Sequence, residues 1–427
     1  MKFDVEGAAR GKTEPWPNRY ARWSGGTLGM NAVAVPRNNG TMKKGCVFVL
    51  GILAGVVAFG CEAASKEEGA PRLVGTGPAG SDPPDASPTP AAEPDAGTDG
   101  GVGYGHVVYL NFSGARLDWD VTNDAALNRC WISKTHRNTS IPAFWEDDAF
   151  SAAHPTRTAV IDAIAVRVRD AFAPFDVQVV TERPALAAFT MVVVGGTMAD
   201  VDIANVGAEG VSATRACTGA TDRDLAFVAT GIDRFRNYPD RVQAIANVIV
   251  HELGHTFGLV HNKNVEGTFM VTGGGEKWGS GPFDPVGSQD CGRTFQDDAA
   301  TLRTNIGDRR TRLPVPRVSD AIVPSLEPVS LADGAALALN YRPCVSAEDA
   351  SGVSMVMMQV VVQSPSGPVV VEQEALRAAP FRFSPLTRAY GPQTMLRFLA
   401  IDAFDNLTER RVIVTLGGAG SSSPTCD

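Results

Sequence analysis

The 427-residue sequence has seven cysteines but no C-x-x-C pair, so it lacks the thiolate pairs from which cysteine zinc sites are usually built. It is also short of positive charge: Lys and Arg number 38 against 47 Asp and Glu, a formal −9. Residues 1–60 are +5, so the remainder carries −14, and a body that acidic repels nucleic-acid phosphates. Histidine is scarce, six in all, and no internal repeat stands out. Asp200, Asp202 and Asn205 lack the glycine and terminal glutamate of an EF-hand loop, which leaves a solvated loop rather than a calcium site. What remains is 44% hydrophobic residues, enough for two or three domains with cores of their own.

The uncharged run Gly45–Gly60 is shorter than the roughly 20 apolar residues that a membrane span needs. Preceded by Met42, Lys43 and Lys44, it suits the apolar region of a secretory signal peptide over 42–61. Its end, Ala58-Phe59-Gly60-Cys61, resembles the lipobox of bacterial lipoproteins, which implies a lipid anchor at Cys61; an ordinary signal peptide or an uncleaved anchor is the alternative. Either way the chain is expected to be exported, to a bacterial cell envelope or the extracellular space, and to meet membrane only through that anchor. Residues 1–41 read as a start-site artefact ahead of Met42 or a disordered extension. Residues 62–104, dominated by Ala, Gly, Pro, Asp, Ser and Thr, read as a flexible linker, because they bury too little surface to offset ordering entropy. Export permits disulfides. Of the five remaining cysteines, Cys344–Cys426 and Cys217–Cys291 are the expected pairs, with one thiol left free.

Ordered structure is expected from about residue 105. HVVYLNF (106–112), FDVQVVT (175–181), FTMVVVGG (189–196) and DLAFVATGI (224–232) read as strands, with GVSATRA (210–216) at an edge. Val160, Ile161, Ile164, Val168 and Phe172 follow helical spacing across Thr156–Phe172, and Pro239-Asp240 opens a second helical run from Arg241. This order predicts an α/β or α+β layer, a twisted mixed sheet against two long helices. Residues 288–306 are expected to form a final helix, with the charges Asp297, Asp298, Arg309 and Arg310 on solvated surface. Trp145 reads as packing. Pro314, Pro316, Pro324 and Pro328 mark a linker. Beyond it, short β-rich runs such as VSMVMMQVVVQ (353–363) and TMLRFLAID (394–402) predict an all-β sandwich over 314–420, with 421–427 as a tail. The phrases SAEDASGV (346–353) and AIDAFDN (400–406) resemble bacterial immunoglobulin-like domains.

Three of the six histidines fall within eleven residues: His251-Glu252-Leu253-Gly254-His255-Thr256-Phe257-Gly258-Leu259-Val260-His261. Residues i and i+4 share one helix face, so His251 and His255 can meet one ion. In a continuing helix His261 would lie about 9 Å further along the axis, out of reach. The helix must therefore end between them, and Gly258 is the residue suited to the left-handed turn that ends it. The product is three imidazoles with an open position, as catalytic zinc requires, and Glu252 beside the first ligand to move protons. The pattern resembles the metzincin signature H-E-x-x-H-x-x-G-x-x-H, followed by a Met-turn whose methionine matches Met270. The resemblance implies a zincin-like α+β catalytic domain over 105–313 that cleaves protein or peptide substrates with one Zn2+ ion. His251, His255 and His261 would be its ligands and Glu252 its general base and acid, with Gly258 and Met270 supporting the site. It also implies that substrate lies along the edge strand near residues 210–216. A bacterial matrixin-like member is the nearest group, although Asn262 does not match the residue expected after the third histidine, and Thr272 stands where some members have a zinc-binding Tyr. Two other readings stay open: a surface adhesion lipoprotein with a structural zinc, and a zinc amidase acting on cell-wall peptides.

Overall fold

The computed structural model describes residues 103–145, 154–203, 208–213, 220–231, 235, 238–262, 267–271, 283, 285–286, 295–320, 322–365, 367–391, 393–417, 420 and 423–426. Residues 1–41, the proposed signal segment with Cys61, the linker as far as residue 102 and the pair Cys217–Cys291 lie outside them. Among the described residues no helix is long and apolar enough to cross a membrane.

Strand β1 (His106–Asn111) leads into a small sheet of β2 (Ala115–Trp119), β3 (Arg129–Cys130) and β4 (Thr139–Ile141), which the sequence patterns had not suggested. Helix α1 (Arg157–Ala171) follows, its first turn capped by the Thr156 hydroxyl, which accepts from Ala159 N–H. Then come β5 (Val177–Val180), β6 (Thr190–Gly195), β7 (Gly210–Ser212) and β8 (Leu225–Ala229). Helix α2 (Arg241–Thr256) starts at Asp240, whose carboxylate accepts from Gln243 N–H. The main sheet has the order β5-β1-β6-β8-β7, parallel except for β7, which runs antiparallel to β8 at the edge.

Both faces of this sheet are covered, which explains the nearly unbroken apolar runs of β6 and β8. Val108, Leu110, Val192, Val194 and Val228 face α1 and α2, while Val107, Tyr109, Met191, Val193 and Phe227 face the small sheet. The alternation along each strand sorts its side chains to the two faces. A short hairpin, β9 (Pro285–Val286) with β10 (Gln296–Asp297), precedes helix α3 (Asp298–Ile306). The expected helix over 288–306 is corrected at its start: Gln296 and Asp297 pair as strand, and the Asp297 carboxylate accepts from Ala300 N–H, so the helix begins at Asp298.

The rest is all β. Strands β11 (Ser325–Pro328), β12 (Ala335–Leu337), β13 (Cys344–Glu348), β14 (Val353–Ser364), β15 (Gly367–Leu376), β16 (Phe381–Arg382), β17 (Thr394–Asp402) and β18 (Leu407–Leu416) form two sheets, ordered β11-β13-β16 and β12-β18-β17-β14-β15. Leu326, Val345 and Phe381 meet Val356, Phe398 and Val412 between them. Cys344 and Cys426 are joined in a disulfide, as expected, and Cys130 is a buried free thiol. The larger sheet is apolar on its other face as well. Met355, Met357, Leu399 and Ile401 pack with Ala143 of the preceding α/β region. Arg397 lies over the Trp145 ring, 5.3 Å from its centre, and the half-buried ring also lines a cleft with Thr197, Arg241 and Gln373, so Trp145 both packs and faces a cleft. The proline-rich stretch before β11 is held, too: Ala185 N–H donates to Pro316 and Val318 N–H to Arg183.

Candidate metal centre

The two regular turns of α2 that carry His251 and His255 end where the spacing demands. Phe257 caps the helix, and Gly258 takes φ +90°. Leu259 N–H donates to Gly254 O at 2.9 Å and Gly258 N–H to His255 O at 3.0 Å, the paired bonds of a Schellman motif. The reversal brings His261 back against the helix. His255 Nε2 then lies 3.1 Å from His251 Nε2 and 3.2 Å from His261 Nε2. Two nitrogens held at about 2.0–2.1 Å by one tetrahedral ion would sit roughly 3.3–3.4 Å apart. The three imidazoles therefore can hold a metal ion.

Their tautomers suit the task. His251 Nδ1 bonds Phe269 O at 2.7 Å and His255 Nδ1 bonds Leu259 O at 3.0 Å. With the proton on Nδ1, each ring turns its Nε2 lone pair toward the common centre. Burial pushes the His251 imidazole well below its ordinary range, and the neighbouring His255 and His261 push it the same way. Burial, with His261, brings His255 down to about 3. Neutral imidazoles are the form that ligates.

Glu252 is buried, and burial alone pushes its carboxyl up to about 8 when no ion is present. It lies against β7. A Cβ built on Gly210 would sit 2.6 Å from Glu252 Oε1, so a glycine at that point of the strand is what leaves room for the carboxyl. Gly210 was not legible beforehand, because an edge strand carries no signature. Met270 is fully buried under the helix. A Cβ on Gly254 would overlap its sulfur and stand 3.1 Å from its Cε, so Gly254 is the notch into which Met270 packs. Replacing Gly254 by Ala should force Met270 aside in a filled core and cost about 1–3 kcal/mol of stability, read by urea unfolding. An unchanged midpoint would show that Met270 repacks freely.

Three further residues frame His261. The Gln296 side chain accepts from Val260 N–H at 3.0 Å and donates to Val260 O at 2.9 Å. Gln296 also donates to Asp298 Oδ1 at 2.7 Å, and Asn262 Nδ2 donates to Asp298 Oδ2 at 3.0 Å. Asp298, expected on solvated surface, is 0% exposed. The partial positive charge at the start of α3 and two side-chain amides make that burial tolerable. Asn262 N–H donates to Met270 O at 2.7 Å, which ties the third histidine to the methionine segment.

No protein-family model matches the chain, and no curated protein matches it in sequence. Among solved structures it is similar to OgpA from Akkermansia muciniphila, at 11% identity over 73% of this chain and 92% of that one, with a TM-score of 0.21. A catalytically inactive OgpA, solved with an O-glycopeptide substrate (glycodrosocin), is similar at 10% identity over the same shares, with a TM-score of 0.20. Fibronectin(III)-like modules of Clostridium thermocellum CbhA match at 19% identity over 27% of this chain, with a TM-score of 0.19; the chain spans 57% of their length. CopC from Methylosinus trichosporium matches at 13% identity over 22% of this chain and 93% of its own, with a TM-score of 0.17. These likenesses are distant. The chain is a mixed α/β protein with C-terminal β-sheets and a cluster of three histidines, His251 buried and His255 and His261 half-buried, that can bind a metal ion.

Proposed function

We propose that the protein is a zinc-dependent endopeptidase of the metzincin type. The observation that carries this reading is the convergence of His251, His255 and His261, with the Nε2 atoms of His251 and His261 lying 3.1 and 3.2 Å from that of His255. The donor set fits zinc: three neutral imidazoles, with no fourth His, Cys, Asp or Glu joining the group among the described residues. A structural site would normally be closed by a fourth protein ligand. When bound, zinc would acidify water and polarise the scissile carbonyl.

The chain's own part is proton transfer and substrate placement. Glu252 follows the first ligand on α2 and accepts a proton from the attacking water, then returns it to the leaving amine. Its contact with β7 puts it beside the sheet edge. Residues 209 and 213 bond β8, through Ala229 N–H to Glu209 O and Ala213 N–H to Leu225 O. Alternation in an antiparallel ladder then turns the N–H and C=O of Gly210 away from β8, toward the outer edge. A peptide added along that edge would pass next to Glu252. In this reading residues 105–313 are a matrixin-like catalytic domain, residues 314–420 an immunoglobulin-like sandwich, and the protein acts outside the cytoplasm, a setting with which the Cys344–Cys426 disulfide agrees.

Cleavage of an unfolded protein substrate by the full chain tests this. Chelator should abolish it, and about one equivalent of zinc per chain should restore it. Cleavage that continues unchanged after zinc is stripped would overturn the assignment.

A further inference from the structure

His251 and His255 are placed by a helix, but His261 stands on an irregular segment that needs its own support. We infer that Gln296, Asp298 and Asn262 form a strap that positions the His261 imidazole and thereby sets how tightly the chain holds its metal, a reading that rests on the metal centre proposed above.

The strap grips both neighbours of His261. The Gln296 amide satisfies the N–H and the C=O of Val260 together, as a paired strand would. Asn262 is held through its side chain, which donates to Asp298 and at 3.4 Å to the Thr268 hydroxyl, and through its N–H, which donates to Met270 O. Asp298 joins the two grips, since its two oxygens accept from Gln296 and Asn262. Gln296, Asp298, Asn262 and Val260 are all buried, so water does not compete for these bonds. Their geometry also gives Asn262 a reason to be there. An amide at 262 donates to Asp298, whereas a carboxylate there would face another carboxylate in a dry site. Outer-shell groups of this kind orient a ligand, and their loss typically weakens metal binding by about 10–100-fold.

The test measures zinc affinity of the full chain by competition with a chromogenic chelator, together with the absorption of the cobalt-loaded protein. Gln296→Leu and Asn262→Asp should each weaken zinc by about 10–100-fold and alter the cobalt spectrum, as the third nitrogen leaves its position. Exchanging the pair, Asn262→Asp with Asp298→Asn, restores the 262–298 bond with donor and acceptor reversed. It leaves an amide oxygen for Gln296, and it should recover most of the affinity. Asn305→Ala serves as control: Asn305 also reaches from α3 to the ligand-bearing segment, donating to Phe257 O at 2.7 Å, but does not flank His261. It should leave zinc affinity and the cobalt spectrum unchanged. Parent-like affinity in folded Gln296→Leu or Asn262→Asp, or an equal loss in Asn305→Ala, overturns the strap. If Gln296→Leu does not fold, the exchanged pair decides, and its failure to recover affinity overturns the inference. A parent chain that binds no zinc at all sinks the metal centre itself, and shows this before any variant is made.

Discussion

Replacing Glu252 by Gln should slow peptide-bond hydrolysis by about 10²–10⁴-fold while zinc stays bound, because the change removes a proton acceptor and no ligand. The side chain keeps its volume in a buried slot against Gly210, so the three imidazoles have no reason to move. Equal turnover by the variant would rule Glu252 out as the base. The same variant has an opposite effect on the metal-free chain. Burial holds the folded Glu252 carboxyl up to about 8, against an ordinary value of 4.5. Between these values the folded state keeps a proton that the unfolded state has released. The stability tied to that proton is therefore complete below pH 4.5 and is lost as pH rises toward 8. A neutral Gln escapes that loss, so with chelator present Glu252→Gln should be more stable than the parent at pH 8 by on the order of 4 kcal/mol. The depressed His255 works in the other direction, contributing stability above pH 6.5 that is lost as pH falls toward about 3. It is common to both chains and cancels in the comparison. Urea titrations at pH 5 and 8 would show this, and identical pH dependence in the two chains would contradict it.

Replacing Asp405 by Ala should cost about 3–5 kcal/mol, the usual penalty for stranding one partner of a buried ion pair. Asp405 lies in the turn between β17 and β18, yet its carboxylate accepts from Arg183 at 2.5 Å and from the Tyr109 hydroxyl at 3.3 Å, both in the α/β region. The Arg183 side chain is 9% exposed and that of Asp405 3%. The remaining Arg183 bonds, to Asn128 Oδ1, Ala125 O and Ala126 O, do not neutralise its charge. Asp405 also sits at φ +65°, a backbone region that Asn tolerates better than Ala. Asp405→Asn should therefore lose less than Asp405→Ala. The contact couples the two regions, so both should unfold in one transition, followed by peptide CD and by tryptophan fluorescence. Two separated transitions, or a loss under 1 kcal/mol for the Ala variant, would show that the junction contributes little.

The same junction shows where pattern reading stops. An isolated sandwich alternates apolar and polar residues, but β14 is apolar on both faces because Met355 and Met357 are covered by the α/β region. The run VSMVMMQVV signals burial on two sides without saying what covers the second. The prolines before β11 mark a break in regular structure, and nothing local shows that Pro316 accepts a bond from Ala185.

Around the three histidines the division is sharper. The spacing of His251 and His255 and the glycine at 258 were enough to fix a shared helix face and a reversal, because both depend on dihedral angles and contacts within one or two turns. The residues of each segment are enough to set that local geometry, and likewise the strands and helices whose apolar periodicity is strong. Which charges are buried was decided only by the folded chain. Asp298, in an acidic pair that reads as solvated, is sealed beneath Asn262, and Gly210 matters because a carboxyl 42 residues away lies against it. Local sequence sets the local conformation, whereas desolvation depends on what segments distant in the chain bring alongside.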